Sequence, residues 1–139
     1  MSVAIVHDWL TGQRGGEQVL EAVLELLPGA KVYALTHVPG SVAAAIEERR
    51  PETTWLARVP LLRRSPGLLL PLLPRAVESL DLRGHEAVLS ISHCVALGAR
   101  ARGTHLLYSL TPMRYVWDGF DDYAAGAGAR GGRRRGGGR

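Results

Sequence analysis

One cysteine, Cys94, stands in 139 residues, which excludes an internal disulfide framework and a cysteine-based zinc site. Long apolar runs are missing as well. The stretch from Leu68 to Leu73 is six residues long and contains Pro71, whereas a transmembrane helix needs about 20. Residues Met1 to Asp8 carry neither the basic start nor the small-residue cleavage site of a signal peptide, so a cytoplasmic location is expected. No Gly-Lys-Ser/Thr of a Walker loop and no G-x-G-x-x-G of a dinucleotide site occurs. No Ser-His-Asp or Cys-His set is visible, no metal site is expected, and Cys94 reads as a small packed residue. An excess of positive charge is confined to one end. Of the 17 Lys and Arg residues, Arg130, Arg133, Arg134, Arg135 and Arg139 fall in the last ten positions, leaving 12 basic against 13 acidic groups in residues 1–129. The folded part is therefore not expected to bind nucleic acid.

What remains is the composition of one globular domain, 46% apolar and 22% charged. Val3-Ala4-Ile5-Val6 is a continuous apolar run of the kind that parallel sheets bury on both faces. After a loop from Asp8 to Gly16, Val19, Leu20, Val23, Leu24 and Leu27 share one helical face, with Glu17, Gln18, Glu21 and Glu25 on the other. Pro28-Gly29 stops this helix. A second strand is expected at Lys31–Leu35, a helix capped by Ser41 at Val42–Arg49, and a third strand at Thr53–Trp55. Two more buried strands, Ala87–Ile91 and Thr104–Tyr108, flank a short helix near Val95–Ala99. This alternation predicts an α/β fold: a Rossmann-like parallel sheet with helices on both faces and strand order 3-2-1-4-5.

The domain is expected to span residues 1–123. Residues 124–139 are only Ala, Gly and Arg, have no apolar payload, and are expected to be disordered. All three residue types have GC-rich codons, so a GC-rich gene read out of frame would give such a tail. An Arg/Gly-rich nucleic-acid-binding tail is the alternative.

Two loops hold the candidate chemistry. Glycines Gly15 and Gly16 stand just before the first helix, where backbone N–H groups can approach an anion at its positive end; a tight turn is the other reading. Ser92-His93 follows the fourth strand. In strand order 3-2-1-4-5 the ends of strands 1 and 4 meet at the switch point, where ligands bind. That places His93 near Gly15 and Gly16, with Asp8 facing the same crevice; a hydrogen-bonded surface histidine is the alternative for His93. His37, His85 and His105 have no such placement and are read as structural or exposed.

Ile5-Val6-His7-Asp8-Trp9-Leu10 leading into Arg14-Gly15-Gly16-Glu17, then Ser90-Ile91-Ser92-His93, then Thr111-Pro112-Met113-Arg114-Tyr115-Val116-Trp117-Asp118, occur in that order. Together they resemble the N-terminal domain of glycosyltransferase family 4, and are most similar to the mannosyltransferase-like members of bacterial polysaccharide synthesis. The resemblance covers about residues 2–123. It implies the acceptor-side half of a two-domain GT-B enzyme that transfers a hexose, with retention, from a nucleotide-sugar to a glycan or lipid-linked acceptor, without a metal or resident cofactor. It also implies that Gly15 and Gly16, with Asp8 and Arg14, lie on the side of the donor diphosphate. His93 would lie against the transferred sugar, and Thr111, Arg114, Tyr115 and Trp117 would belong to a family signature. The donor domain, with its glutamates seven residues apart, has no counterpart in this sequence, so the chain alone is expected to be inactive. A non-catalytic Rossmann-like module for an anion or a protein partner is the competing expectation.

Between Trp55 and Leu82, arginines alternate with leucines. Either this is a Pro-interrupted connection packed on the sheet, or Arg58, Arg63 and Arg64 touch the inner face of an anionic membrane. Each such arginine contributes roughly 1 kcal/mol at an anionic surface, so replacing all three with alanine should weaken vesicle binding by on the order of a hundredfold. Sedimentation with phosphatidylserine-containing liposomes measures this, and equal binding by both proteins would exclude membrane contact through these residues.

Overall fold

The computed structural model describes residues 1–60, 71–93 and 96–111. Arg63, Arg64, Cys94, Arg114, Tyr115, Trp117 and residues 124–139, for which roles are expected above, lie outside them. Five strands, β1 (Val3–Leu10), β2 (Lys31–His37), β3 (Glu52–Thr53), β4 (Ala87–Ser92) and β5 (Thr104–Ser109), form one all-parallel sheet of order β3-β2-β1-β4-β5. The expected α/β architecture and strand order are both present. β1 is central: Ile5 pairs with Val32 of β2 on one side and with Leu89 of β4 on the other.

Helix α1 (Gly15–Leu26) and the single turn α2 (Ala44–Glu47) cover one face of the sheet, where Ile5, Leu20, Leu24, Val32, Ile46 and Ile91 share a core. Helix α3 (Leu73–Glu78) and two 3₁₀ turns, Trp55–Arg58 and Ala96–Gly98, cover the other face around Val6, Leu35, Leu56, Ala76, Val77 and Val88. Because successive strand residues point to opposite faces, the apolar runs of β1, β2 and β4 supply both cores at once. β5, expected to be a buried strand, is instead largely exposed: it is an edge strand, and among the described residues nothing covers Leu106, Leu107 or Tyr108.

Several elements differ from expectation for identifiable reasons. β1 does not stop at Val6 but runs to Leu10, since His7 and Asp8 are buried with hydrogen-bonding partners and so can remain in the strand. Ser41 does not cap α2. Its hydroxyl donates to the carbonyls of Leu10 and Val38 (3.0 and 2.6 Å), and the Ala43 N–H is taken by the Gln13 side chain (3.0 Å), so the helix starts late. Thr54 accepts from the Leu56 N–H (3.3 Å) while donating to the Leu35 carbonyl (2.9 Å), which ends β3 and diverts Trp55 into a 3₁₀ turn. The helix expected near Val95–Ala99 is represented by the 3₁₀ turn Ala96–Gly98.

Where β5 joins the sheet, the Thr104 N–H bonds the Glu86 carbonyl (3.3 Å), and the preceding Gly103 lies so close that a Cβ there would overlap this same carbonyl. Gly103→Ala must therefore displace the start of β5. We expect a loss of about 1–3 kcal/mol, the usual cost of forced overpacking, measured by urea denaturation. An unchanged midpoint would contradict this close approach.

Candidate functional site

At the carboxyl ends of β1 and β4 the N-terminus of α1 arrives opposite the end of β4, and a cleft of about 410 Å³ opens between them. This volume lies in the range of small-ligand sites, at the position where open parallel sheets bind ligands. Arg14, Gly15, Gly16 and Glu17 line it from the α1 side, His7 and Trp9 from β1, and His93, Leu110 and Thr111 from the segments after β4 and β5. The crevice predicted to join Gly15 and Gly16 with His93 is thus present, and Arg14 and Thr111 border it too.

The two glycines differ. A Cβ on Gly15 would meet nothing within 4 Å, whereas one on Gly16 would lie 3.0 Å from Leu110 Cδ1 and 3.2 Å from His7 Cε1. Gly16 is thus a packing glycine that lets α1 approach β1, and only Gly15 borders open space. As the first turn of a helix, both carry N–H groups with no acceptor inside α1.

His7 is 2% exposed, on the α1 side of β1. Its Nδ1 lies 2.8 Å from the Ile91 carbonyl, which only accepts, so Nδ1 carries a proton. Nε2 lies 3.4 Å from Glu17 Oε1. Glu17 Oε2 accepts the Arg14 N–H at 3.0 Å, the return bond of a capping box. Burial raises the Glu17 pKa, but the hydrogen bonds from His7 and the backbone outweigh it and hold the carboxyl below its ordinary value. The helical pattern placed Glu17 on the solvent face; it is 4% exposed instead, because His7 and the Arg14 N–H give its carboxylate a buried site.

Asp8 does not line the cleft. It is 0% exposed beneath it, on the opposite side of β1 from His7. Oδ1 accepts from the Ser92 hydroxyl (2.7 Å) and the Ala96 N–H (2.9 Å), and Oδ2 from the His93 N–H (3.0 Å). Oδ2 also lies 3.1 Å from His93 Nδ1. The His93 ring, 32% exposed, stands edge-on to Trp9 with centroids 5.6 Å apart at 74°.

The other histidines sit away from this cleft. His85 bridges the Ser2 hydroxyl and Tyr33 OH (2.8 and 2.9 Å), His105 bonds the Ser90 hydroxyl (2.9 Å), and His37 Nε2 lies 3.0 Å from Glu47. Arg58 is exposed next to Trp55, itself 43% exposed. Among the described residues no cluster of His, Cys, Asp and Glu could hold a metal, and no helix is long and apolar enough to cross a membrane. No protein-family model matches the chain, and comparison with curated proteins and with solved structures finds no match.

Glu17→Gln keeps the size of the side chain but removes its charge, and should cost about 1–2 kcal/mol of stability near neutral pH. Because the folded-state pKa is depressed, the carboxylate's contribution is complete above the ordinary value of 4.5 and disappears as pH falls through the lower, folded value. The gap between the two proteins in chemical denaturation should therefore close in acid. A gap independent of pH would show that the charge contributes nothing.

Proposed function

We propose that this chain is the acceptor-side domain of a retaining glycosyltransferase of the family 4 type, and that its cleft takes the diphosphate and the transferred hexose of a nucleotide-sugar. The observation that carries the reading is convergence. Residues from all three motifs that together resemble that family, the first running from Ile5–Leu10 into Arg14–Glu17, the second Ser90–His93 and the third beginning at Thr111, border or underlie one cleft at the switch point of the sheet.

The cleft has two chemically distinct ends. On one side the unpaired first-turn N–H groups of α1, the open space at Gly15 and the Arg14 guanidinium favour an anion. The Glu17 carboxylate, which would repel one, is engaged by His7 and the Arg14 N–H. On the other side the half-exposed His93 and the edge of Trp9 suit a hydroxyl-bearing ring. The donor nucleotide and a glycan or lipid-linked acceptor would be held together with a second domain of the same fold class.

The test joins this chain to a family 4 donor domain and measures hexose transfer. Gly15→Val should lower kcat/KM by about tenfold or more, by filling the space next to the first-turn N–H groups, with little change in melting temperature. His93→Ala should lower kcat more than it raises KM, since a contact with the reacting sugar strengthens in the transition state. A folded fusion that binds nucleotide-sugar and transfers nothing would leave the anion- or partner-binding module as the function. Full activity in both variants would remove these residues from the site.

A further inference from the structure

We infer that Asp8 is a positioning residue: it holds neutral His93 as the Nδ1–H tautomer, so that the ring presents Nε2 to the cleft as a hydrogen-bond acceptor. This deepens the reading of the cleft as a ligand site by assigning the His93 end to a hydroxyl donor instead of an anion.

Asp8 is fully buried, and a buried carboxylate persists only if donors surround it. The Ser92 hydroxyl, the Ala96 N–H and the His93 N–H all point at it, within 2.7–3.0 Å. These are donors to an ionised group, so Asp8 acts as an acceptor toward whatever else approaches. His93 Nδ1 also approaches it, 3.1 Å from Oδ2. A neutral imidazole has one N–H, and against a carboxylate oxygen that N–H must be on Nδ1. Nε2 then keeps its lone pair.

The placement of the ring follows from the same carboxylate. Oδ2 takes both the backbone N–H and the ring Nδ1 of His93, which fixes the main chain and the side chain of one residue relative to one atom. Trp9 packs against the ring in a T-shaped contact. With Nδ1 turned to Asp8, Nε2 is the ring nitrogen left to face the cleft that His93 lines. A lone pair there accepts from a hydroxyl and repels a phosphate oxygen. The anion end at Gly15 and the hydroxyl end at His93 would thus orient a sugar diphosphate in one direction only. Metal-ligating histidines are oriented by carboxylates in the same manner; here the oriented nitrogen serves an organic hydroxyl.

The test needs no ligand, so it can fail independently of the functional reading. Two-bond ¹H–¹⁵N correlation spectra of histidine-labelled protein report which ring nitrogen carries the proton, and His93→Gln assigns the His93 signals. At mildly alkaline pH the His93 ring should show a protonated Nδ1 and an unprotonated Nε2, the reverse of the tautomer that free imidazole side chains favour. In Asp8→Asn the amide nitrogen replaces one acceptor oxygen, and the His93 tautomer should move to Nε2–H. If that variant does not fold, the wild-type spectrum decides alone. A wild-type His93 in the Nε2–H form, a ring still doubly protonated at mildly alkaline pH, or a folded Asp8→Asn with an unchanged tautomer would each overturn the inference. Loss of sugar transfer with the Nδ1–H tautomer intact would instead count against the proposed function.

Discussion

The carboxylate of Asp8 is the fixed point of this molecule. A charged group with no exposure to water is expensive to bury, and here the cost is offset by donors drawn from the end of β4 and the segment that follows it. The consequence is geometric. β1 and β4 are neighbours in the sheet, but sheet pairing alone does not determine how the chain leaves the end of a strand. Asp8 sits near the end of β1 and gathers Ser92, His93 and Ala96, so the exit of β4 is tied to the exit of β1. The cleft lies between those two joined exits and the first turn of α1.

A second buried polar pair works on the other face of β1. His7 and Glu17 connect the strand to the first turn of α1, and Gly16 is needed so that the helix can come near enough. Consecutive residues of one strand, His7 and Asp8, therefore control the two walls of the cleft from opposite faces of the sheet. Alternation of side chains in an extended strand makes this arrangement available to any adjacent pair of polar residues, provided both find partners.

The architecture was legible because apolar runs and helical periodicity are signals summed over many residues. Val3–Val6, Ala87–Ile91 and the Leu20, Leu24 face of α1 define strands and a helix that no single side chain could overturn. The cleft was legible in part, since topology alone brings the end of β4 toward Gly15. What could not be read were the features decided by one hydrogen bond. Asp8 looked like the start of a loop because a polar residue after an apolar run usually is one. Glu17 looked solvated because periodicity sorts residues by type, and a buried carboxylate depends on a partner ten positions away. A capping box would have flagged Glu17 had Ser or Thr stood at the N-cap, but Arg14 stands there. Ser41 has the right chemistry for a cap, and two carbonyls compete for its hydroxyl successfully.

The parallel order β3-β2-β1-β4-β5 also has a kinetic side. β1 leaves the ribosome first, yet Val3 pairs with Ala87 and His7 with Ile91, so one entire edge of the central strand waits for more than eighty further residues to be synthesised. The early chain can form α1 and close β1 on β2, but the sheet stays open on its β4 side in the interval. Asp8 meets its donors only at the same late moment. Loop closure on that scale is slow, and an unpaired strand edge is a site for mispairing while it lasts. The central strand is thus paired on both sides only once β4 has arrived, and a nascent chain halted before residue 87 presents β1 paired with β2 alone.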